Sequence, residues 1–304
     1  MLYVIGHKNP DTDSIVSAMV MADYLRKIGR KAKAFRTGKM NRETKFVLDK
    51  IKIKPPSFIK NLAEKKIFLV DHNEFEEAGL GIEKAEISGI LDHHKLGGIK
   101  TKAPIYSRIE PLGSTATLIF KLFGEKNLLL SKNQAFLLLS GILSDTLNFN
   151  SPTCTGEDIK IGKTLAEASR QNPDELAEEM FKSKSDISGL SLEDLISADY
   201  KEYRERKLIF GIGVQETVMP EIILRKKEKI LNTLADFKQK RKIDLIFFGI
   251  VDILKKRTYL LIAGDKEKGI AERAFNKKEK ENLILLPGIV SRKKQMVPVI
   301  LEAL

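Results

Sequence analysis

The chain has 304 residues, of which 42% are hydrophobic, and its formal net charge is +12. This length favours two domains, and no stretch approaches the ~18 uncharged apolar residues of a membrane-spanning helix. The single cysteine, Cys154, excludes an intramolecular disulfide and is interpreted as a packing residue. The basic excess is spread over both halves, which favours a solvated surface over a nucleic-acid site. Because Met1 leads directly into an apolar strand-like run without signal-peptide features, we expect a cytoplasmic protein.

The first half of the chain alternates short apolar runs with segments of helical periodicity, which predicts a parallel sheet covered by helices. The first predicted helix spans residues 14–28 and begins just after Asp13. From about Pro111 the chain becomes mainly helical. The predicted strands are residues 2–5, 33–36, 67–70, 87–91 and 105–109, and the later helices are residues 115–123, 132–143, 158–168 and 173–181.

A softer stretch, residues 183–191, is rich in Lys, Ser, Asp and Gly and has few apolar residues. We interpret residues 186–191 as a linker between a domain of residues 1–185 and a smaller α/β domain of residues 192–304. The second domain's predicted strands are residues 208–214, 245–253, 259–263 and 283–286, with helices near 220–240 and 266–275. The sequence therefore predicts an α/β protein with two unequal domains.

All four histidines lie in the first third of the chain, and each is close to an aspartate that follows a predicted strand. Because the carboxyl ends of parallel strands meet at one edge of a sheet, we expect these side chains to lie together. The three clusters are His7, Asp11 and Asp13; Asp71 and His72; and Asp92, His93 and His94.

Such a mixture of carboxylates and imidazoles, without thiolates, suits a pair of manganese, iron or zinc ions, and the many carboxylates favour manganese. Cations would also relieve the repulsion between closely packed carboxylates. A single residue such as Asp13 could instead be a helix cap. Three clusters after three separate strands are harder to explain by capping, so we favour a metal site.

Four motifs resemble those of the DHH phosphoesterase superfamily and occur in its order. They are GHKNPDTDS at residues 6–14, VDHN at 70–73, LDHH at 91–94 and SDT at 144–146. Within that superfamily, VSRKKQ at 290–295 and SPTCT at 151–155 resemble the manganese-dependent (family II) inorganic pyrophosphatases. No insertion between the motifs is long enough for the CBS-domain pair of some relatives, so the chain resembles the short form.

This resemblance implies a role for each of eleven residues. His7 and Asp11 would bind one metal, Asp13, His93 and Asp145 would bind the second, and Asp71 would bridge the two. His94 would face the substrate or the attacking water, and Asp92 would orient the neighbouring imidazoles. The second domain would supply phosphate-binding cations, namely Lys201, Arg292 and Lys293. The match at Lys201 is short, and His72 receives no metal role.

The resemblance further implies that the chain hydrolyses pyrophosphate to two orthophosphates through a metal-bridged hydroxide in a di-manganese site. Co²⁺ would be a possible substitute for Mn²⁺, and a further Mg²⁺ would enter with the substrate. Because the metal ligands and the cations fall in different domains, we expect an active site in the interdomain cleft that closes over the substrate. The resemblance also implies a homodimer formed through the N-terminal domain.

Three other functions stay open at this point. An exopolyphosphatase of the same superfamily, acting on short-chain polyphosphate, would share the metals and the basic residues. A nuclease or cyclic-dinucleotide phosphodiesterase would be expected to carry a glycine-rich C-terminal domain, and no glycine cluster occurs near this C-terminus. A nucleic-acid-binding protein without enzymatic activity would leave the His/Asp clusters unexplained.

Overall fold

The computed structural model of the protein describes residues 1–187, 189–206 and 208–304. These residues form two compact units, Met1–Lys184 and Ser185–Leu304. The predicted linker contains Ser188 and the predicted second domain contains Lys207, and both residues lie outside the described ranges. The domain boundaries at 185 and 192 stay a prediction. In the described part of the chain, no helix has the length and apolar character needed to cross a membrane.

In the described part of the first unit, six strands form one sheet in the order β3-β2-β1-β4-β5-β6, and every neighbouring pair is parallel. They are β1 (Leu2–Ile5), β2 (Ala32–Arg36), β3 (Ser57–Phe58), β4 (Lys66–Val70), β5 (Glu86–Asp92) and β6 (Tyr106–Ile109). Strand order reverses between β1 and β4, and in open α/β sheets ligands bind outside the carboxyl ends of strands at such a switch point. The sheet thus directs attention to the residues that follow β1 and β4.

The helices of this unit are α1 (Thr12–Lys27), α2 (Arg42–Lys50), α3 (Thr115–Glu125), α4 (Lys132–Asp145), α5 (Gly156–Ser169) and α6 (Pro173–Ser185). Several begin at side chains that cap the first turn: Asp11 for α1, Ser114 for α3, and capping boxes at Ser131 and Thr155 for α4 and α5. Residues 134–144 of α4 are all buried, as expected for a helix surrounded by protein.

The second unit contains a mixed sheet in the order β11-β10-β9-β8-β7, in which β8 and β9 are parallel and the other pairs are antiparallel. Its strands are β7 (Tyr200–Glu205), β8 (Leu208–Thr217), β9 (Leu245–Asp252), β10 (Arg257–Ile262) and β11 (Leu283–Pro287). Its helices are α7 (Leu192–Ser197), α8 (Pro220–Leu224), α9 (Lys227–Arg241), α10 (Asp265–Phe275) and α11 (Val297–Ala303). A π-helical turn, Arg292–Met296, leads into α11.

Strand β9 carries the core of the second unit on both faces. All eight of its residues are buried. Leu245, Phe247 and Val251 belong to one hydrophobic cluster, whereas Ile246 and Phe248 belong to another. The two-residue alternation of a strand therefore sends successive side chains into two cores, and a continuous apolar run is the sequence sign of such a strand.

The predicted fold class is confirmed: a parallel-sheet α/β unit is followed by a smaller unit with a second sheet. Some elements were not predicted, namely α2, β3, α7, β7, the π-helical turn and α11. The helix predicted near residues 220–240 is divided into α8 and α9. Most of the missed elements are too short to show a helical or strand-like hydrophobic pattern. Strand β7 is longer, but it is an edge strand of charged and aromatic residues and lacks the alternation of apolar and polar residues that marks a strand.

Candidate metal centre

The carboxyl ends of three parallel strands deliver the predicted ligands to one edge of the sheet. His7 lies two residues after β1, Asp71 directly follows β4, and His93 directly follows β5. Two helices complete the set, because Asp11 caps the start of α1 and Asp145 is the last residue of α4. The strand-end argument made from the sequence thus brings distant residues to one place.

The six predicted metal ligands form two groups that share Asp71. The ligand atoms of His7, Asp11 and Asp71 all lie within 4.8 Å of one another, and the same holds for Asp13, Asp71, His93 and Asp145. At Asp71, Oδ2 lies 3.4 Å from His7 Nε2, and Oδ1 lies 3.3 Å from His93 Nε2. One carboxylate therefore faces both imidazoles, with a different oxygen directed towards each.

Residues at the start of α3 donate hydrogen bonds to the carboxylates of Asp13 and Asp71. Asp13 is fully buried and accepts hydrogen bonds from Ser114 Oγ at 2.8 Å and from Thr115 N at 2.7 Å. Thr115 Oγ1 also donates to Asp71 Oδ1 at 3.1 Å. These contacts fix both carboxylates before any ligand binds.

The backbone at Asp71 is left-handed, with φ of 63°. Aspartate and asparagine tolerate this conformation better than most residues, because their short polar side chains hydrogen-bond locally. The amide of Asp71 donates to Leu91 O at 3.0 Å, which fastens the residue to the neighbouring strand β5. The turn after β4 thus places the Asp71 carboxylate at the sheet edge.

His93 is oriented as a ligand through its second nitrogen. Its Nδ1 lies 3.0 Å from the carbonyl oxygen of Leu112, which can only accept, so Nδ1 carries a proton and Nε2 is the nitrogen that a metal ion could bind. Nε2 is buried and has no hydrogen-bond partner within the described residues. A buried nitrogen of this kind, 3.4 Å from Asp145 Oδ2, is suited to a cation.

The pKa shifts within the cluster also indicate a site suited to cations. Burial and the charge of Asp71 raise the pKa of Asp13 to about 7, and burial with the charge of Asp13 raises the pKa of Asp145 well above its ordinary value. Burial disfavours the charged imidazole of His7, but the carboxylates of Asp11 and Asp71 outweigh it and raise its pKa to about 10. The closely packed carboxylates therefore repel one another, and two metal ions would supply the positive charge that offsets this repulsion.

His93 and Asp71 perturb each other in the corresponding way. Burial lowers the pKa of His93, but the Asp71 carboxylate outweighs this effect and raises it to about 9. Burial opposes ionisation of Asp71, yet His7 and His93 bring its pKa below its usual range. The donor set of imidazole nitrogens and carboxylate oxygens fits manganese, as the sequence indicated.

A cavity of about 680 Å³ opens over this centre. It is lined by five of the six predicted ligands, while Asp13 lies buried beneath them. His72 also lines it; its Nδ1 contacts Val70 O at 2.9 Å, and burial lowers its pKa, which favours the neutral ring. The cavity has room for a small ligand beside the metal ligands.

His94 lines the cavity and is held by Asp92. Asp92 is fully buried, and its Oδ1 accepts a hydrogen bond from His94 Nδ1 at 2.9 Å and from the His93 amide at 2.8 Å. Asn73 donates to the other oxygen of Asp92. The hydrogen bond from His94 to Asp92 raises the pKa of His94 despite partial burial. Asp92 therefore orients the imidazole of His94 and holds the backbone of His93, whose ring is held by Leu112 instead. The predicted role of Asp92 towards both imidazoles stays a prediction.

Comparison with known proteins identifies the family. The model of the DHH family, N-terminal domain, matches residues 1–142, and the DHHA2 domain model matches residues 178–303. A protein of Exiguobacterium sp. named "Probable manganese-dependent inorganic pyrophosphatase" is 40% identical over 302 residues, covering 99% of this chain and 97% of that protein. A Bacillus cereus protein of the same name is 37% identical with the same coverage.

A solved structure agrees with these relatives. The crystal structure of a candidate family II inorganic pyrophosphatase from Methanococcus jannaschii shares 39% identity with this chain, has a TM-score of 0.66 and covers 100% of this chain and 99% of that one. The chain belongs to the manganese-dependent (family II) inorganic pyrophosphatases. The family indicated by the sequence motifs is thereby confirmed.

In this family II protein the predicted cations lie in the second unit. Lys201 is exposed on the edge strand β7, and Lys293 is exposed on the π-helical turn. Arg292 begins that turn; its Nη1 lies 2.8 Å from Asp199 Oδ1 and also contacts the backbone carbonyl of Asp199. The contact places Arg292 beside Asp199, which directly precedes β7 and lies two residues before Lys201. Roles for these three residues in phosphate binding stay a prediction.

Sequence reasoning missed residues of this pyrophosphatase that support the ligands rather than contribute to the ligand set. Ser114 and Thr115 hold Asp13, and Asp158 accepts hydrogen bonds from Gly113 N at 2.8 Å and Thr117 Oγ1 at 2.6 Å. Asp158 thereby fixes the loop whose Leu112 carbonyl orients His93. A visible signal was the capping pattern of Thr155 and Asp158 at the start of α5.

Proposed function

We propose that this chain hydrolyses inorganic pyrophosphate to two orthophosphates with the help of two manganese ions. The observation that carries the proposal is the position of Asp71, whose two oxygens lie 3.4 Å from His7 Nε2 and 3.3 Å from His93 Nε2. A carboxylate placed in this way can serve two metal ions at once. The names of the relatives, which are manganese-dependent inorganic pyrophosphatases, support the choice of substrate and metal.

His7 and Asp11 would hold one ion, Asp13, His93 and Asp145 would hold the other, and Asp71 would be common to both. When bound, the two ions would lower the pKa of a water molecule and offset negative charge on the phosphate oxygens. Two Mn²⁺ per chain are proposed, with Co²⁺ as a possible substitute because imidazole ligands suit transition metals. A further Mg²⁺ is proposed to arrive with the pyrophosphate.

The other residues would bind the substrate and hold protons. In the proposed reaction a water molecule attacks one phosphorus in line, and the P–O bond to the second phosphate breaks without a phosphoenzyme. Asp92 accepts the Nδ1 proton of His94, so His94 can present Nε2 to the substrate or the water. Arg292, Lys201 and Lys293 are proposed to bind phosphate oxygens, Arg292 through a bidentate contact.

The test is phosphate release from pyrophosphate, tripolyphosphate, long-chain polyphosphate and a dinucleotide after removal of metal by a chelator. We expect pyrophosphate to be hydrolysed fastest, and Mn²⁺ or Co²⁺ to restore activity far better than Mg²⁺ alone. Faster hydrolysis of tripolyphosphate or polyphosphate would identify an exopolyphosphatase, and cleavage of the dinucleotide would identify a phosphodiesterase. Equal activity with Mg²⁺ alone would contradict the proposed manganese site.

Three further features expected from the sequence are proposed. They are a cytoplasmic location, a homodimer formed through residues 1–185, and the division of labour between metal ligands in residues 1–185 and cations in residues 192–304. Nucleic acid is not expected to be a partner, and filter binding with and without Mn²⁺ would test this. Sedimentation at micromolar concentration would test the dimer, since a single species with the 34.3 kDa mass of one chain would contradict it.

A further inference from the structure

Glu43 is a buried carboxylate that the proposed reaction does not use. It lies in the first turn of α2 and has no exposed surface. Its Oε2 accepts hydrogen bonds from Thr12 Oγ1 at 3.0 Å and from Ser144 Oγ at 2.9 Å. Lys184 Nζ lies 3.6 Å from the same oxygen. Glutamate is rarely buried so completely unless it is paired, and here one oxygen gathers all of these contacts.

The two hydroxyl donors are next to predicted metal ligands in the sequence. Thr12 is the first residue of α1 and stands between Asp11 and Asp13, and Ser144 immediately precedes Asp145 at the end of α4. Glu43 therefore joins the start of α1 to the end of α4 at the point where both helices present carboxylates to the cluster. Asp13 and Asp145 belong to the same group of potential ligands, so their separation depends on how these two helix ends meet.

Stability alone gives a weak reason for a buried acid at this place. Replacement of buried ionic groups by well-packed apolar residues is often neutral or stabilising. Oε1 of Glu43 also has no hydrogen-bond partner within the described ranges, which adds to the desolvation penalty. The position of Glu43 in the first turn of a helix, next to Lys184, offsets part of that penalty. A requirement for specific geometry explains the carboxylate better than packing does.

We propose that Glu43 is a positioning residue that sets the spacing of Asp11 and Asp13 relative to Asp145 through Thr12 and Ser144. The inference rests on the proposed function, because it assumes that these aspartates bind manganese. Metal sites require ligands held within about 0.5 Å of the productive geometry. Loss of the shared acceptor would let the two helix ends relax independently, which weakens metal binding without removing a ligand.

Four variants and one control separate this role from simple stabilisation. Glu43→Ala removes the shared acceptor, while Thr12→Val and Ser144→Ala each remove one donor. Glu43→Gln keeps an oxygen that can accept from both hydroxyls, so it should restore much of what Glu43→Ala loses. The matched control is Gln134→Ala, because Gln134 joins the same two helices away from the metal through a 2.7 Å hydrogen bond from Nε2 to Asp23 Oδ2.

The measurements are Mn²⁺ affinity of the metal-free protein, from the electron paramagnetic resonance signal of free Mn²⁺, and thermal unfolding of each variant. We expect Glu43→Ala to bind Mn²⁺ about 10-fold more weakly than the natural protein, the lower end of the effect of outer partners of metal ligands. Thr12→Val and Ser144→Ala should show smaller losses in the same direction, and Glu43→Gln should lie close to the natural protein. Gln134→Ala should lower Tm yet keep Mn²⁺ affinity within about twofold.

Each result decides the matter. If all Glu43, Thr12 and Ser144 variants bind Mn²⁺ as the natural protein does, or if Gln134→Ala weakens binding as much as Glu43→Ala, the positioning role is wrong. If Glu43→Ala does not fold, Thr12→Val and Ser144→Ala still give the answer, since each deletes only one hydroxyl. Failure of the natural protein to bind Mn²⁺ would instead overturn the proposed function.

Discussion

The buried candidates for metal binding and the exposed candidates for phosphate binding lie in opposite kinds of environment, and Arg292, whose side chain is 10% exposed, lies between these extremes. Asp13 and Asp71 are buried and accept several hydrogen bonds from the start of α3, whereas Lys201 and Lys293 stand exposed on an edge strand and a π-helical turn. Gathering buried carboxylates requires fixed partners, because each unpaired charge is expensive to bury. Exposed cations carry no such penalty. The first region is therefore organised before its ligand arrives, and the second need not be.

The largest effect should come from Asp71→Asn, which removes charge at the shared carboxylate of the organised region. We expect Mn²⁺ affinity and pyrophosphate hydrolysis to fall together, the latter by about 1,000-fold or more, because metal ions contribute several kcal/mol of transition-state stabilisation. Metal content by elemental analysis and phosphate release measure the two effects.

A buried aspartate elsewhere provides the control for this change. Asp252 is 2% exposed and pairs with Arg257 at 3.1 Å in the second unit. Asp252→Asn should lower stability but leave Mn²⁺ affinity unchanged. Near-normal turnover with full metal content in Asp71→Asn would show that the role assigned to Asp71 is wrong.

Arg292→Ala tests the other side of the comparison. We expect it to keep its manganese and yet to hydrolyse pyrophosphate about 100- to 1,000-fold more slowly, since a charge-assisted contact to phosphate would be lost in the transition state. Metal content and turnover should be measured on the same sample. Loss of metal from this variant would contradict the proposed division between the two units.

The ion pair of Arg292 with Asp199 allows a purely structural role to be recognised. Asp199→Asn removes that pair but keeps the guanidinium, so it should retain most of the activity that Arg292→Ala loses. The neighbouring exposed cation offers a second comparison, because Lys294→Ala should have little effect. Equal losses in Arg292→Ala and Asp199→Asn would mean that the arginine acts by stabilising its own unit.

Asp92→Asn sharpens the comparison within the organised region. His94 and Asn73 contact different oxygens of Asp92, and an amide has only one oxygen, so Asp92→Asn loses one of the two contacts in the observed geometry. We expect kcat to fall about 10- to 100-fold, the usual effect of losing an outer partner of a metal site. Combining Asp92→Asn with His94→Gln tests whether Asp92 acts through His94. If it does, the double variant should be no slower than His94→Gln alone. Additive losses would show that Asp92 acts through other contacts.

The smallest effect should come from Cys154→Ser. Cys154 follows Thr153, which lines the cavity, but its Sγ contacts the carbonyl of Thr155 at 3.7 Å and burial raises its pKa. A thiol with a raised pKa is a poor nucleophile, so hydrolysis should stay within about twofold of the natural rate. A large loss of activity in Cys154→Ser would contradict this expectation. So would inactivation of the natural protein by a thiol-alkylating reagent, if the substrate protects against it.

The clustering of the predicted metal ligands was predictable from sequence because strand ends in a parallel sheet converge. Knowing that His7, Asp71 and His93 follow strands was enough to place them together, and the motifs added Asp11, Asp13 and Asp145. Several predicted strands were close to the observed ones, and Leu2–Ile5 was placed correctly at both ends. Apolar strands buried on both faces leave a clear signal in the sequence.

The supporting contacts could not be predicted, because they join residues far apart in the chain. Ser114 and Thr115 contact Asp13 across about a hundred residues, and Ser144 contacts Glu43 across a similar separation. No local pattern specifies such pairs. Glu43 also lies in α2, a nine-residue helix that was not predicted, and Lys201 lies in β7, whose charged edge position hides its strand character.

The left-handed backbone at residue 71 restricts which side chains evolution can try there. Glycine adopts φ of 63° freely and asparagine does so readily, whereas most other residues are strained by roughly 1–2 kcal/mol. Among all possible substitutions at residue 71, many would therefore lower the stability of the fold in addition to any effect on metal binding. Glutamate would keep a carboxylate, but its side chain is one methylene longer and it adopts the left-handed backbone less readily than aspartate does. Aspartate combines the carboxylate with a readily adopted left-handed backbone, so sequence drift at position 71 should be narrow for reasons of backbone conformation as well as chemistry.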